Sequence, residues 1–222
     1  EKVLSNGNSI SRLPTPYSEH IQRHLKKIGF SVIFNEILKA ADCGVPQYRP
    51  RYLIIGVREE LASHIPKKII LDLIQQSQNK TLKSVGLKSG SMVTVKDAIS
   101  DLRKSGKKLE AYENWPKFKR IIYEAPRTQY QKFLHANRNG VPMNGHPVNS
   151  LRLPNHKEKT VARFKKIKSL CSPGVAIRKQ ILESLGTKKY GLVLLDANKP
   201  SHTLTTLPDD ILHYAEPRIL TV

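Results

Sequence analysis

The chain has 222 residues, enough for one large domain or two small ones, and an apolar share of 39% can build a core. Lys and Arg number 38 against 18 Asp and Glu, a formal charge of +20 with pI near 10.0. A field of that sign favours a polyanion, nucleic acid being the usual one, although a ribosomal-type protein or a membrane-surface binder shares the balance. No run approaches the about 18 apolar residues of a membrane span, and no charged-then-apolar leader opens the sequence. Cys43 and Cys171 form neither a Cys-x-x-Cys pair nor a disulfide framework. A reducing cytoplasm is the expected compartment. The chain starts on Glu1 and stops on Thr221-Val222 within an apolar run, so both ends are expected to be cuts in a longer protein.

Residues 1–16 are polar and read as a loop or arm. Tyr17, Ile21, Leu25 and Ile28 recur at helical spacing up to Gly29. Residues 30–38 are apolar enough for a strand. Gly44 and Pro46 then punctuate a sharp loop, and residues 52–57 are a β-branched-rich run that suits an interior strand. The two strands are expected to pair antiparallel. Between them Gln47, Arg49 and Arg51 alternate, and Pro50 favours extended backbone at Arg49. In extended chain all three side chains share one face, and an amide with two guanidiniums suits an anion or a planar hydrogen-bonding ligand. Taken alone, two surface arginines ahead of a core strand is the simpler reading.

Residues 60–92 read as an insertion, with a helix over 67–76 and a Lys-, Ser- and Gly-rich loop over 80–92. Thr94 caps a helix with Asp97 in its first turn. From Arg103 to Arg138 basic residues interleave with Tyr112, Trp115, Phe118, Tyr123, Tyr130 and Phe133. Such a mixture can bind nucleic acid by stacking, but most of these aromatics are expected in the core. Residues 137–154 form a long irregular loop of the kind that carries function. A basic amphipathic helix is expected over 159–170, with Val161, Phe164, Ile167 and Leu170 as its stripe and Arg163, Lys165, Lys166 and Lys168 elsewhere. Ser172-Pro173-Gly174 breaks it; a further helix follows over 175–185 and a strand over 190–195.

Several of these segments together resemble the DNA (cytosine-5) methyltransferases. Gly44-Val45-Pro46-Gln47-Tyr48-Arg49-Pro50-Arg51, with its lead-in Ala40-Ala41-Asp42 and its trailing Ile54-Ile55-Gly56-Val57-Arg58, is similar to the family's eighth motif. Lys39 stands where the family often has Asn, and Cys43 where it usually has an aromatic residue. Residues 95–102 resemble the helix that opens the target-recognition region. Arg127-Thr128-Gln129-Tyr130-Gln131, Asn155-His156, and Asp196 to Thr206 with its Pro200-Ser201 and Thr203-Leu204-Thr205 resemble later family segments. His213 and residues 218–222 look like the start of the ninth motif.

The resemblance implies an α/β fold: the terminal part of a Rossmann-like methyltransferase sheet over 1–93, with the insertion at 60–92, and a smaller mixed α+β target-recognition domain over 94–222. It implies that Gln47, Arg49 and Arg51 belong to the active-site shell. Candidate DNA contacts are Arg127, Gln129, Arg138, Asn139, Asn155, His156, Arg163, Lys165, Lys166, Thr203 and Thr205. Double-stranded DNA is the implied partner and S-adenosylmethionine the implied cofactor; no metal and no membrane are expected. The family's nucleophile needs a Pro-Cys context, but Cys43 follows Asp42 and Cys171 follows Leu170. The Glu-Asn-Val acid and the glycine-containing cofactor loop are absent too. The chain is therefore expected to be the DNA-recognition half of such an enzyme, inactive without an N-terminal catalytic half on the same or a separate chain. The other reading is a non-catalytic DNA-binding subunit of a split methyltransferase.

Overall fold

A computed structural model describes residues 16–113, 115–136, 151–187, 189, 191–204 and 210–221. It is a mixed α/β structure whose described residues form three small sheets, β1-β2, β3-β4 and β5-β6. The chain divides into two units, Glu1–Leu38 with Pro50–Gln76, and Lys39–Arg49 with Ser77–Val222.

The first unit begins with α1 (Tyr17–Lys27), which Gly29 ends in the left-handed region at φ 82°. β1 (Phe30–Lys39) and β2 (Pro50–Arg58) pair in one sheet. α1 lies against β2 where Gly56 leaves room: a Cβ there would sit 3.6 Å from Leu25. Gln22 donates to the Tyr52 hydroxyl at 3.1 Å. A short α2 (Glu59–Ala62) and then α3 (Lys67–Ser84) follow. Phe34 is the one buried residue among the described residues of this unit. Tyr17, Ile37 and Leu73 stay 79%, 63% and 56% exposed.

α3 runs past the expected end at 76. Leu82 and Val85, both 2% exposed, extend its apolar stripe into the second unit, and Gly86 (φ 76°) ends it. Burial of these two side chains outweighs the polar, loop-like composition around them. α4 (Val95–Ile99) opens with the expected Thr94 cap. The Asp97 amide donates to Thr94 Oγ1 at 3.1 Å, and the Thr94 amide donates to Asp97 Oδ2 at 3.0 Å. β3 (Leu109–Tyr112) and β4 (Trp115–Ile121) form an antiparallel hairpin.

The expectation of buried aromatics fails. None of Tyr112, Trp115, Phe118, Tyr123, Tyr130 and Phe133 is buried. The core is aliphatic instead: Ile167, Leu182, Leu194 and Leu212 with Phe164, drawn from α6 (Glu158–Leu170), α7 (Lys179–Ser184), and the parallel pair β5 (Val193–Leu194) and β6 (Ile211–Leu212), together with Leu192 just before β5. Two further helix expectations are corrected. Leu170 is 66% exposed at the end of α6. Residues 175–178 are not helical: Ile177 donates to the Leu192 carbonyl, and Ala176 bridges Val193, because an edge of β5 is open to them. Lys168 is half-buried, and its ammonium donates to the Tyr214 carbonyl at 2.5 Å.

A second capping box starts α5 (Gln129–Leu134), which sequence periodicity does not reveal. Gln131 is 1% exposed. Its Oε1 accepts from the Arg127 and Thr128 amides, and its amide nitrogen donates to the Asp97 carbonyl and Ser100 Oγ. One side chain thus joins the ends of α4 and α5. Gln131→Leu removes a partner from those four groups, of which the Asp97 carbonyl keeps the Thr128 hydroxyl, and is expected to cost about 2–4 kcal/mol in urea unfolding; a loss below about 0.5 kcal/mol would show that the two helices hold without it.

Near the end of the chain His213, Glu216 and Arg218 are buried together. Arg218 Nε donates to Glu216 Oε2 at 2.8 Å and its Nη2 to the Leu102 carbonyl at 3.2 Å, while the Ser105 amide donates to Glu216 Oε1. Burial alone would raise the Glu216 pKa, but these donors hold it below its ordinary value. His213 Nδ1 accepts from the Ala215 and Glu216 amides, which fixes the ring neutral. Burial, then the neighbouring Arg218, push its pKa from 6.5 down to about 3. The unfolded state therefore binds the extra proton first, and stability is expected to fall by about 1.4 kcal/mol per pH unit below pH 6.5. His156, also shifted down, acts in the same direction. Urea midpoints from pH 7 to pH 5 should follow that slope, less steeply in His213→Asn; a flat profile would mean that His213 is charged in the fold.

Candidate active-site loop and basic cleft

The loop that carries Gln47 is built from the backbone outward. A 3-10 turn (Ala40–Cys43) buries Ala41 completely and ends at Gly44, φ 81°. A side chain at Gly44 would meet Thr81 at 3.3 Å, so both the backbone angle and the space demand glycine. The Val45 amide returns to the Ala40 carbonyl, and the Ala40 amide donates to Tyr48 O at 3.1 Å. The loop is then tied to a segment over 150 residues away in sequence: Ser201 N donates to Pro46 O and Tyr48 N to Ser201 O, both at 2.9 Å, making a parallel bridge between Gln47 and Ser201. The same distant segment holds α4, through Val95 N to Lys199 O at 2.9 Å and Lys96 N to Ala197 O at 3.0 Å.

The expected alternation of Gln47, Arg49 and Arg51 on one extended face does not occur. Arg49 is the one described non-glycine residue at positive φ (30°), directly before Pro50. The turn that closes Ala40 onto Tyr48 and Arg49 forces that angle, against the extended preference that Pro50 imposes. Gln47 is half-buried at the Ser201 bridge, and Arg49 is exposed. Arg51 opens β2 in the first unit, where its guanidinium donates to the Pro50 carbonyl at 2.8 Å. Beside Gln47 an apolar cleft of about 290 Å³ is walled by Val45, Pro46, Val95, Ile99, Leu195 and Leu204.

The expected DNA-binding residues fall in separate places. Arg127 is exposed and lies 3.7 Å from Glu124. Gln129 packs over Gly86, whose Cβ position lies 3.0 Å from it. Arg163 and Lys166 share a shallow hollow on α6 and α7 with Lys159, and Lys165 is exposed. Thr203 is exposed two residues beyond Ser201. Arg138, Asn139 and Thr205 lie outside the described residues.

Asn155 and His156 have the most developed surroundings. Residues 151–153 run along β4, with Ile121 N donating to Leu151 O and Leu153 N to Lys119 O at 2.7 Å. Two residues later Asn155 and His156 line a cleft of about 280 Å³ together with Lys104, Lys117, Lys119 and Arg218. His156 packs edge-on to Phe164, and its Nε2 accepts from the Ile219 amide at 3.4 Å. Burial, then Lys104, Arg218 and Lys189, lower its pKa. The three lysines are absent from the sequence-based candidates. Their available signal was the i, i+2 spacing of Lys117 and Lys119, which on a strand puts both on one face.

Neither cysteine has an activating environment. The Cys43 sulfur accepts from Gln78 Nε2 at 3.7 Å, and burial raises the Cys171 thiol above its ordinary pKa. Among the described residues no group of His, Cys, Asp and Glu could hold a metal, and no helix is long and apolar enough to cross a membrane.

Comparison with known proteins gives these segments a common context. Among solved structures, a protein described as a DNA modification methyltransferase encoded within an E. coli prophage matches with 20% identity and a TM-score of 0.49, over 94% of this chain and 53% of its own. The chain thus spans about half the length of that relative. No curated protein sequence matches the chain. The sequence model of the C-5 cytosine-specific DNA methylases matches residues 11–221, which takes in the Gln47 loop, the Ser201 segment and both sides of the basic cleft, and on that match the chain belongs to the C-5 cytosine-specific DNA methylase family.

Proposed function

We propose that the chain is the DNA-recognition half of a DNA (cytosine-5) methyltransferase, running from beyond the acid motif to the start of the ninth motif. Joined to a catalytic half, it would serve methyl transfer to C5 of a flipped cytosine in duplex DNA. In this reading residues 1–93 complete the Rossmann-like catalytic sheet, with 60–92 inserted, and 94–222 form the target-recognition domain. The observation that carries the reading is the first unit: a helix-flanked strand pair with, among its described residues, a single buried one, and with exposed Ile37, Tyr52 and Leu53 on its strands. Two strands with so little core lack independent stability and call for further sheet neighbours. The catalytic half is the occupant that the family supplies.

In that assembly Gln47, Arg49 and Arg51 belong to the shell around the flipped base. Arg49 supports this role. A non-glycine residue at positive φ costs of the order of 1–3 kcal/mol and persists where its surroundings over-determine it, as at functional sites. S-adenosylmethionine would supply the electrophilic methyl group. Among the described residues the apolar cleft beside Gln47 does not fit it, offering no carboxylate for a ribose or an amino group, so its binding is assigned to the other half. The charge of +20 supports duplex DNA as partner, with Arg127, Gln129, Asn155, His156, Arg163, Lys165, Lys166 and Thr203 as candidate contacts. A role in restriction-modification and a place in the bacterial cytoplasm, on the nucleoid, follow from the same reading.

In the assembled enzyme Arg51→Ala is expected to lower kcat by about 100-fold or more while duplex affinity changes by less than about threefold, the pattern of an interaction made at the reacting base. Parental turnover would remove Arg51 from the site.

A further inference from the structure

The cleft between β4 and the start of α6 has a chemistry of its own. Lys117 and Lys119 project from the same strand, both exposed, and Lys104 approaches from the loop before β3. Among the described residues no acid pairs with any of the three; the acids of the hairpin, Glu110 and Glu113, are both engaged by Arg120, at 2.6 and 3.2 Å. Arg218 contributes to the floor, its Nε held by buried Glu216. Asn155 stands at the rim with an amide able to donate. Three unpaired ammonium groups around one concave space repel one another, and a bound anion relieves that repulsion.

We propose that this cleft is a phosphate-binding site, formed by Lys104, Lys117, Lys119 and Asn155 with His156 as its wall. Resting on the DNA-binding reading above, it takes a backbone phosphodiester of the duplex, and so fixes register rather than reading bases. The environment of His156 fits this. The charged groups set against its ring are Lys104, Arg218 and Lys189, all cationic, with Phe164 packed on its other side. A phosphate in the cleft offsets those cations, and the imidazole then takes a proton more readily.

Two measurements on the chain test the site. The first is the titration midpoint of the His156 ring by NMR, alone, with a 12-base-pair duplex, and with millimolar inorganic phosphate. The second is the salt dependence of duplex binding by the chain and by K117Q/K119Q, two exposed positions whose exchange leaves the core intact. The expected result is a rise in the His156 midpoint with duplex, and a log K against log salt slope that is shallower by about one unit in the double variant. A rise with inorganic phosphate but not with duplex would keep the phosphate site and make a free phosphate its source. Duplex binding with an unmoved His156 and an unchanged slope would overturn the site while leaving the DNA-binding reading standing. Failure of the chain to bind duplex would sink that reading instead; the inorganic phosphate titration would then decide the cleft by itself, an unmoved ring overturning it.

Discussion

Two backbone hydrogen bonds, Ser201 N to Pro46 O and Tyr48 N to Ser201 O, set the arrangement of the second unit. They make the Gln47 loop and the Pro200-Ser201 segment into one object. The consequences spread outward from them. Gly44 must be glycine to let the loop turn beneath Thr81 and Leu82. Arg49 must accept a positive φ so that the chain can close onto Ala40 and still enter β2 at Pro50. α4 is held at its N-terminus by the carbonyls of Ala197 and Lys199, and through Gln131 it holds α5. Backbone pairing of this kind demands proximity more than particular side chains.

The two units differ in how they are stabilised. The second has an aliphatic core around Ile167, Leu182, Leu194 and Leu212, and a fully partnered buried glutamate beside Arg218. The first has paired strands and a helix that Gly29 ends but, among its described residues, only Phe34 inside. Secondary structure there is locally specified, whereas burial is deferred, which is what the proposed role of completing a sheet requires.

What the sequence made legible follows from which signals are local. The α1 stripe from Tyr17 to Ile28, the strand residues 52–57 and the Thr94 cap are short-range patterns, and each element forms where expected, but the expected interior strand is not buried: Tyr52 and Leu53 stay 43% and 39% exposed. The Gln47 and Ser201 segments could each be recognised, but not their union, because no periodicity encodes a pairing across so many residues. Arg49 misled because Pro50 argues for extended backbone, and the closing hydrogen bonds prevailed. The six aromatics misled because hydrophobic size suggests burial, while the lysines and arginines between them keep their segment at the surface. The basic cleft was half legible. Asn155-His156 stood out as a motif, but Lys104, Lys117 and Lys119 were three charges among 38, and only the fold brings β4 and the loop before β3 to His156.

In the proposed function this chain supplies recognition and part of an active-site shell, and the reaction needs a second half. The most direct measurement is transfer of a labelled methyl group from S-adenosylmethionine to mixed-sequence duplex DNA, with this chain alone and with it joined to an N-terminal half that carries the Pro-Cys and Glu-Asn-Val motifs. The account predicts label in cytosine only when both halves are present. Label transferred by this chain alone would contradict it, since neither Cys43 nor Cys171 has the environment of a nucleophile.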